Sequence, residues 1–136
     1  MKVMGLDLGD ARTGVALSDE LKMMAHSYGT LYNKDHNDLL NQLESIVKEN
    51  NLEAVVIGLP KNMNGTVGER GELAKEFAKA FEEKFGIKTI LWDERLTTVS
   101  AHRVLSEANV RVKKRKKVVD TVSAVFILQC YLDSRG

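Results

Sequence analysis

A single cysteine, Cys130, leaves this chain without an internal disulfide, and its apolar surroundings read as core packing. With one proline, Pro60, a stiff linker or a long proline-rich loop is excluded. No apolar run approaches the roughly 20 residues of a membrane span. The opening Met1-Lys2-Val3-Met4-Gly5-Leu6-Asp7 meets a charge too early for a signal peptide. Excess charge of one sign is also missing, since the net value is only +1. With 43% hydrophobic and 29% charged residues the balance is that of a folded, water-soluble chain. The 136 residues suit one domain spanning 1–136, and the expected location is cytoplasmic.

The near-neutral total hides an uneven distribution. Residues 111–117 read Arg-Val-Lys-Lys-Arg-Lys-Lys, six positive charges without an acid, which leaves the rest of the chain at −5. Such a segment is what a phosphate backbone would contact, although a solvated loop looks the same in sequence.

The pattern predicts short strands over 2–8 and 13–18 joined by a turn at 9–12, and a third strand near 26–32. Asp35 is placed to cap a helix carrying Leu39, Leu43, Ile46 and Val47 inward. Residues 53–58 form a continuous apolar run, the signature of a strand covered on both faces. A Gly- and Asn-rich loop follows, then a helix with Leu73, Phe77, Phe81 and Phe85 at every fourth position, ended by Gly86. Residues 87–92 predict another strand and 97–107 a helix. The basic segment is read as a connection into a last helix over 118–133, apolar nearly all round and therefore buried. Strands alternating with helices imply a parallel half of the sheet, and the opening hairpin an antiparallel half.

Three acids stand out against this framework. Asp7 lies in an apolar strand between Gly5 and Gly9, where a carboxylate is expensive to bury and where little obstructs a ligand. An aspartate opening the Gly9 turn would give the same pattern. Asp93-Glu94-Arg95 follows an apolar strand, at the carboxyl end where functional groups of α/β sheets collect. Alternation lets only one of the two acids face a shared site, and Glu94 is chosen for its reach, with Asp93 left to pair with Arg95 or cap a helix. Asp120 sits at the expected start of the last helix, where the helix dipole alone could account for it. Two strand ends and a helix start can converge, however. Oxygen ligands of that kind suit Mg²⁺ or Mn²⁺, and two such ions about 4 Å apart support phosphodiester cleavage. The basic segment beside Asp120 fits a phosphate-bearing polymer. His26, His36 and His102 show no metal-ligand spacing, and Trp92 reads as core rather than as a base-stacking platform.

These residues resemble the YqgF family, ribonuclease H-like proteins described as pre-16S rRNA nucleases and Holliday-junction resolvase-like proteins. The matching stretches are Gly5-Leu6-Asp7-Leu8-Gly9 with Arg12-Thr13-Gly14-Val15-Ala16, Gly58-Leu59-Pro60 with Asn64-Gly65-Thr66, Asp93-Glu94-Arg95-Leu96-Thr97-Thr98, and Val119-Asp120-Thr121-Val122-Ser123-Ala124. Asp10-Ala11 stands where Thr-Lys is more usual, which leaves Arg12 to carry any phosphate contact from that turn. The resemblance implies an α/β, ribonuclease H-like fold with a central five-stranded mixed sheet flanked by helices. It implies Asp7, Glu94 and Asp120 as catalytic and metal-binding residues holding Mg²⁺ or Mn²⁺, and processing of the 5′ end of pre-16S rRNA. The loop from Pro60 to Gly71 should border the site, with backbone amides at Gly65, Gly68 and Gly71. Nucleic-acid contacts are then expected from Arg12, Lys61, Arg70, Arg95, Lys113, Lys114, Arg115, Lys116 and Lys117.

Three other readings compete. A resolvase acting on four-way DNA would use the same acids, but two symmetric cuts favour a dimer, and no dimer helix is evident, so a monomer is preferred. An ATP-binding module would share Asp7-Leu8-Gly9 and Gly14, yet would need a second lobe. A non-catalytic RNA-binding assembly factor has no reason to hold three mutually repelling acids together.

Overall fold

The computed structural model describes residues 1–9, 11–60, 65–93 and 112–135, with side chains throughout except at 112–122 and 135. Strands β1 (Lys2–Leu8), β2 (Arg12–Ser18) and β3 (Ala25–Tyr32) come first, then helix α1 (His36–Glu49), β4 (Leu52–Leu59), α2 (Glu69–Phe85), β5 (Lys88–Asp93) and α3 (Val112–Arg135). The five strands form one sheet in the order β3-β2-β1-β4-β5. β1 pairs antiparallel with β2 and β2 with β3, whereas β1–β4 and β4–β5 are parallel. The sheet is therefore mixed in the manner expected, hairpins on one side and crossovers on the other.

Alternation along the strands divides the core in two. Met4, Leu6, Val15, Val55 and Ile57 pack against α1 and α2, through Leu39, Leu43 and Ile46 on one helix and Phe77 and Phe81 on the other. Val3, Ala16, Ala54 and Val56 pack on the opposite face against Ala124, Ile127, Leu128 and Tyr131 of α3. β4 reads as an apolar run after Glu53 because both its faces are covered.

Local signals locate most boundaries. The Asp35 carboxylate accepts a hydrogen bond from the Asp38 amide at 2.8 Å and starts α1. Gly86 ends α2 in the left-handed region, φ 65°, and its amide donates to the Glu82 carbonyl. Of the predicted ladder in α2, Phe77 and Phe81 are buried and Phe85 partly so, but Leu73 is 43% exposed and lines an open cleft with Leu8, Gly9 and Pro60. α2 also begins earlier than the expected loop allows: Arg70 and Gly71 lie in its first turn, and Gly71 is buried.

The last helix differs most. It starts at Val112, so Lys113–Lys117 are helical rather than a connection. Lys and Arg are good helix formers, and a solvated charge run costs a helix little where one face is free. Arg111 and the helix expected over 97–107 lie outside the described residues. Nor is α3 apolar all round: Ala124, Ile127, Leu128, Tyr131 and Leu132 are buried, Val125, Phe126 and Cys130 half-buried, and Asp133 and Ser134 exposed. Cys130 therefore sits at the core's margin. Among the described residues no helix is long and apolar enough to cross a membrane.

Candidate active site

Asp7 stands near the carboxyl end of β1, half-buried, on the sheet face that carries α3. Its neighbours in the sheet explain why it can be there. Across the antiparallel ladder Asp7 pairs with Gly14. On the parallel side Leu6 pairs with Ile57, so the next residue beside Asp7 is Gly58, itself paired with Trp92. The carboxylate is flanked on both sides by residues without side chains. On this face of the sheet the positions next to it in β2 and β4 therefore carry no side chain.

The cover of that face is α3. A Cβ placed on Gly5 would lie 2.8 Å from Cβ of Leu128 and 3.1 Å from the carbonyl oxygen of Ala124. That is closer than packed side chains tolerate, so glycine at position 5 lets helix and strand approach. Val3 lies further back, against Tyr131 and Leu132. Strand and helix thus run in opposite directions. Two strand residues rise about 6.7 Å and four helix residues 6 Å, so the two periods stay nearly in step. If Gly5 faces Ala124 and Leu128, Asp7 faces the turn one step earlier, which contains position 120. Position 120 also lies on the same helix stripe as Ala124 and Leu128. The dipole explanation of Asp120 fails, because eight residues of α3 precede it and the first turn is elsewhere.

Asp93 is the last residue of β5, paired with Leu59 and half-buried. Ile90 and Trp92 pack into the α3-side cluster. Alternation then gives Asp93 to the opposite face. Glu94 itself lies outside the described residues, as do Arg95 and Lys61. Trp92 meets Tyr131 edge-on with centroids 6.4 Å apart, and so is core, as its surroundings in sequence suggested. Of the histidines, His36 packs edge-on against Phe77 and His26 is exposed, while His102 is not described. Among the described residues no three His, Cys, Asp or Glu groups gather as a metal site.

The cationic candidates separate. Arg12 shares the α3 face with Gly14 and Ala16, one step along from the Asp7 row. Arg70 lines a cleft of about 310 Å³ with Leu8, Gly9, His36 and Pro60, on the α1–α2 side of the same strand ends. The helical basic run precedes position 120 by three to seven residues. At 1.5 Å per residue it lies about 4–10 Å beyond the Asp7 level, on the side of the strand ends.

Residues 1–134 match the family described as "RuvX: Holliday junction resolvase". The chain belongs to this family. Similar curated relatives include proteins named "Putative pre-16S rRNA nuclease" from Clostridium novyi, 48% identical over 98% of this chain and 99% of the relative, and from Bacillus subtilis, also 48% identical with coverage of 98% and 99%. Among solved structures, RuvC of Thermus thermophilus in complex with a Holliday junction substrate aligns over 99% of this chain and 96% of its own, with a TM-score of 0.64 at 14% identity. The fowlpox virus Holliday junction resolvase aligns over all of both chains with a TM-score of 0.60 at 13% identity. These likenesses establish the ribonuclease H-like fold of a nuclease and resolvase family. The flanking glycines at 14 and 58 escaped sequence reasoning as a pair, since only the strand register brings them together.

Proposed function

We propose that this RuvX-family chain is a metal-dependent nuclease, one domain over 1–136, that processes the 5′ end of pre-16S rRNA in the cytoplasm as a monomer. One observation carries the reading: Asp7 stands on a sheet floor cleared by Gly14 and Gly58, opposite the α3 turn that contains position 120. The donor chemistry fits hard divalent cations, since carboxylate oxygens at Asp7, Glu94 and Asp120 suit Mg²⁺ or Mn²⁺. When bound, such ions would supply Lewis acidity and an activated water.

The chain's own residues provide the rest. Asp7 is held in the ladder by its pairing with Gly14 of β2, one residue beyond the last β1–β4 pair at Leu6, and the Gly5 contact sets the spacing between β1 and α3. Glu94 follows β5 directly in the sequence and would supply the second carboxylate. Arg12 and Lys113, Lys114, Arg115, Lys116 and Lys117 contact phosphates on either side of the floor, joined by Arg95 and Lys61. Arg70 serves a flanking phosphate from the α1–α2 side of the strand ends. Near-full-length identity to the rRNA-nuclease relatives supports RNA over branched DNA, while the family description keeps a four-way junction as the second substrate to test.

The experiment compares wild type and Asp7→Asn on a labelled RNA spanning a 16S 5′ leader and on a four-way DNA junction, each with Mg²⁺ or Mn²⁺. Metal-dependent RNA cutting is expected, lost in Asp7→Asn with an unchanged melting temperature. Cutting of the junction alone would replace the rRNA reading. Wild-type cutting by Asp7→Asn would remove Asp7 from the chemistry.

A further inference from the structure

The row of residues beyond Asp7 carries an aromatic group with no core to serve. Arg12 pairs with Tyr32 on the edge strand β3, and Gly14 with Thr30. Tyr32 therefore shares the face of Arg12, Gly14 and Asp7, while Leu31 between them joins the opposite core. Its side chain is 60% exposed. Its backbone, in contrast, is tied down. The Gln42 side chain donates to the Tyr32 carbonyl at 2.7 Å, the Asn33 amide donates to the Ala11 carbonyl at 3.0 Å, and the Thr13 hydroxyl donates to the Asn33 side chain at 3.1 Å in a buried contact. An exposed ring on a fixed backbone loses little freedom when something flat stacks on it.

We infer that Tyr32 and Arg12 form a platform for an unpaired stretch of the nucleic-acid substrate, Tyr32 stacking on a base and Arg12 holding a phosphate between that base and the cleavage site. This rests on the nuclease reading above and adds a substrate class to it. Tyr32 lies two strands and two residues from Asp7, about 12 Å away between backbones. A single strand spans that distance in a few nucleotides. The bases of a duplex are stacked on one another and offer no free face at that height, whereas an unpaired base does. The local charges agree. Exposed Lys34 adds a cation next to Tyr32, while the carboxylates of Asp35 and Asp38 are turned to the backbone at the start of α1, Asp35 accepting from the Asp38 amide and Asp38 from the Lys34 amide. Tyr28, the other exposed tyrosine of β3, lacks this setting. It lies in the bulge between Ser27 and Gly29, at the far end of β3 from the Arg12–Tyr32 pair, beside a recess of mixed charge lined by Lys2, Asp19, Glu20 and His26.

The test uses a fluorescein-labelled single-stranded RNA and the same sequence as a blunt RNA duplex, titrated with full-length protein in the Asp7→Asn background so that no cleavage intervenes. Tyr32→Ala is expected to weaken single-strand binding by about fivefold or more, the lower end of one stacked base, and to leave duplex binding within about twofold. Tyr32→Phe retains binding because the ring suffices, and Tyr28→Ala behaves as the parent. Equal single-strand affinities for Tyr32→Ala and the parent would overturn the platform. So would equal losses on single strand and duplex, or a loss in Tyr32→Phe matching that in Tyr32→Ala. If wild type cuts nothing and Tyr32→Ala still loses single-strand binding selectively, the platform stands and the nuclease reading falls. If wild type cuts normally and Tyr32→Ala changes nothing, the nuclease reading stands and the platform falls.

Discussion

Replacing Gly5 by alanine tests whether the β1–α3 contact sets the geometry of the proposed carboxylate site. The added Cβ would sit 2.8 Å from Leu128 Cβ and 3.1 Å from the Ala124 carbonyl oxygen, neither of which is the loose end of a side chain. Carbon atoms in contact prefer about 3.5–4.0 Å, so α3 must retreat by roughly 0.7–1.2 Å. Overpacking of this kind costs about 1–3 kcal/mol, and alanine returns about 0.4–1 kcal/mol by restricting the unfolded chain. The net loss of one or two kcal/mol lowers Tm by roughly 3–10 °C. The effect on turnover should be larger than that on stability. Position 120 lies one turn from Ala124, so the retreat moves it by a similar distance from Asp7, and a displacement of about 1 Å can lower kcat on the order of 100-fold. The assay is Mg²⁺-dependent cleavage of the leader RNA under single-turnover conditions well below the lowered Tm, beside a thermal melt. A Tm that falls while the cleavage rate holds would refute the claim that α3 positions the site. An unchanged or higher Tm would refute the close packing itself.

Two further outcomes follow from other parts of the molecule. Exchanging Lys113, Lys114, Arg115, Lys116 and Lys117 for glutamine should flatten the dependence of log Kd on log salt for RNA by about 0.7 for each phosphate no longer neutralised, and an unchanged slope would leave the helical basic run without a nucleic-acid role. Burial pushes the Cys130 thiol above its ordinary pKa, and the negative charge of Asp133 adds to this. Less thiolate is present at a given pH than in the unfolded chain, so iodoacetamide should alkylate folded protein more slowly, with its pH onset shifted upward and moved back part-way by Asp133→Asn. Mass spectrometry of folded and denatured samples measures this, and equal pH profiles would contradict the assigned environment.

The elements that sequence predicted well are those controlled by neighbours along the chain. Asp35 caps α1 through an amide three residues on, Gly86 closes α2 through a carbonyl four residues back, and β4 announces its two covered faces by its apolar run after Glu53. Errors arose where the deciding contact is distant or where solvent is an acceptable surrounding. Lys113–Lys117 suit a loop or a solvated helix equally by composition, and only the continuity of α3 to Val112 decides between them. Arg70 was read with Pro60 as part of one loop, and both do line one cleft beside Leu8 and Gly9, but α2 begins early enough to make Arg70 helical. Leu73 keeps the helical spacing of Phe77 and Phe81 but faces an open cleft instead of the core.

The candidate site shows the same division within three residues. Gly5-Leu6-Asp7 was legible as a carboxylate in an apolar strand, but alternation gives its members different duties. Leu6 belongs to the core under α1 and α2, and Gly5 and Asp7 to the face under α3. Glycine at 5 draws the helix in, and the acid two residues on meets the next turn of that helix at the distance so created. A larger residue at 5 would keep the acid and lose its partner turn. Gly14 and Gly58 complete the arrangement from strands that sequence does not align, since their place beside Asp7 exists only once β2 and β4 have paired with β1. The motif is thus a packing instruction as much as a chemical one, and the glycines beside its aspartate are supplied by the register alone.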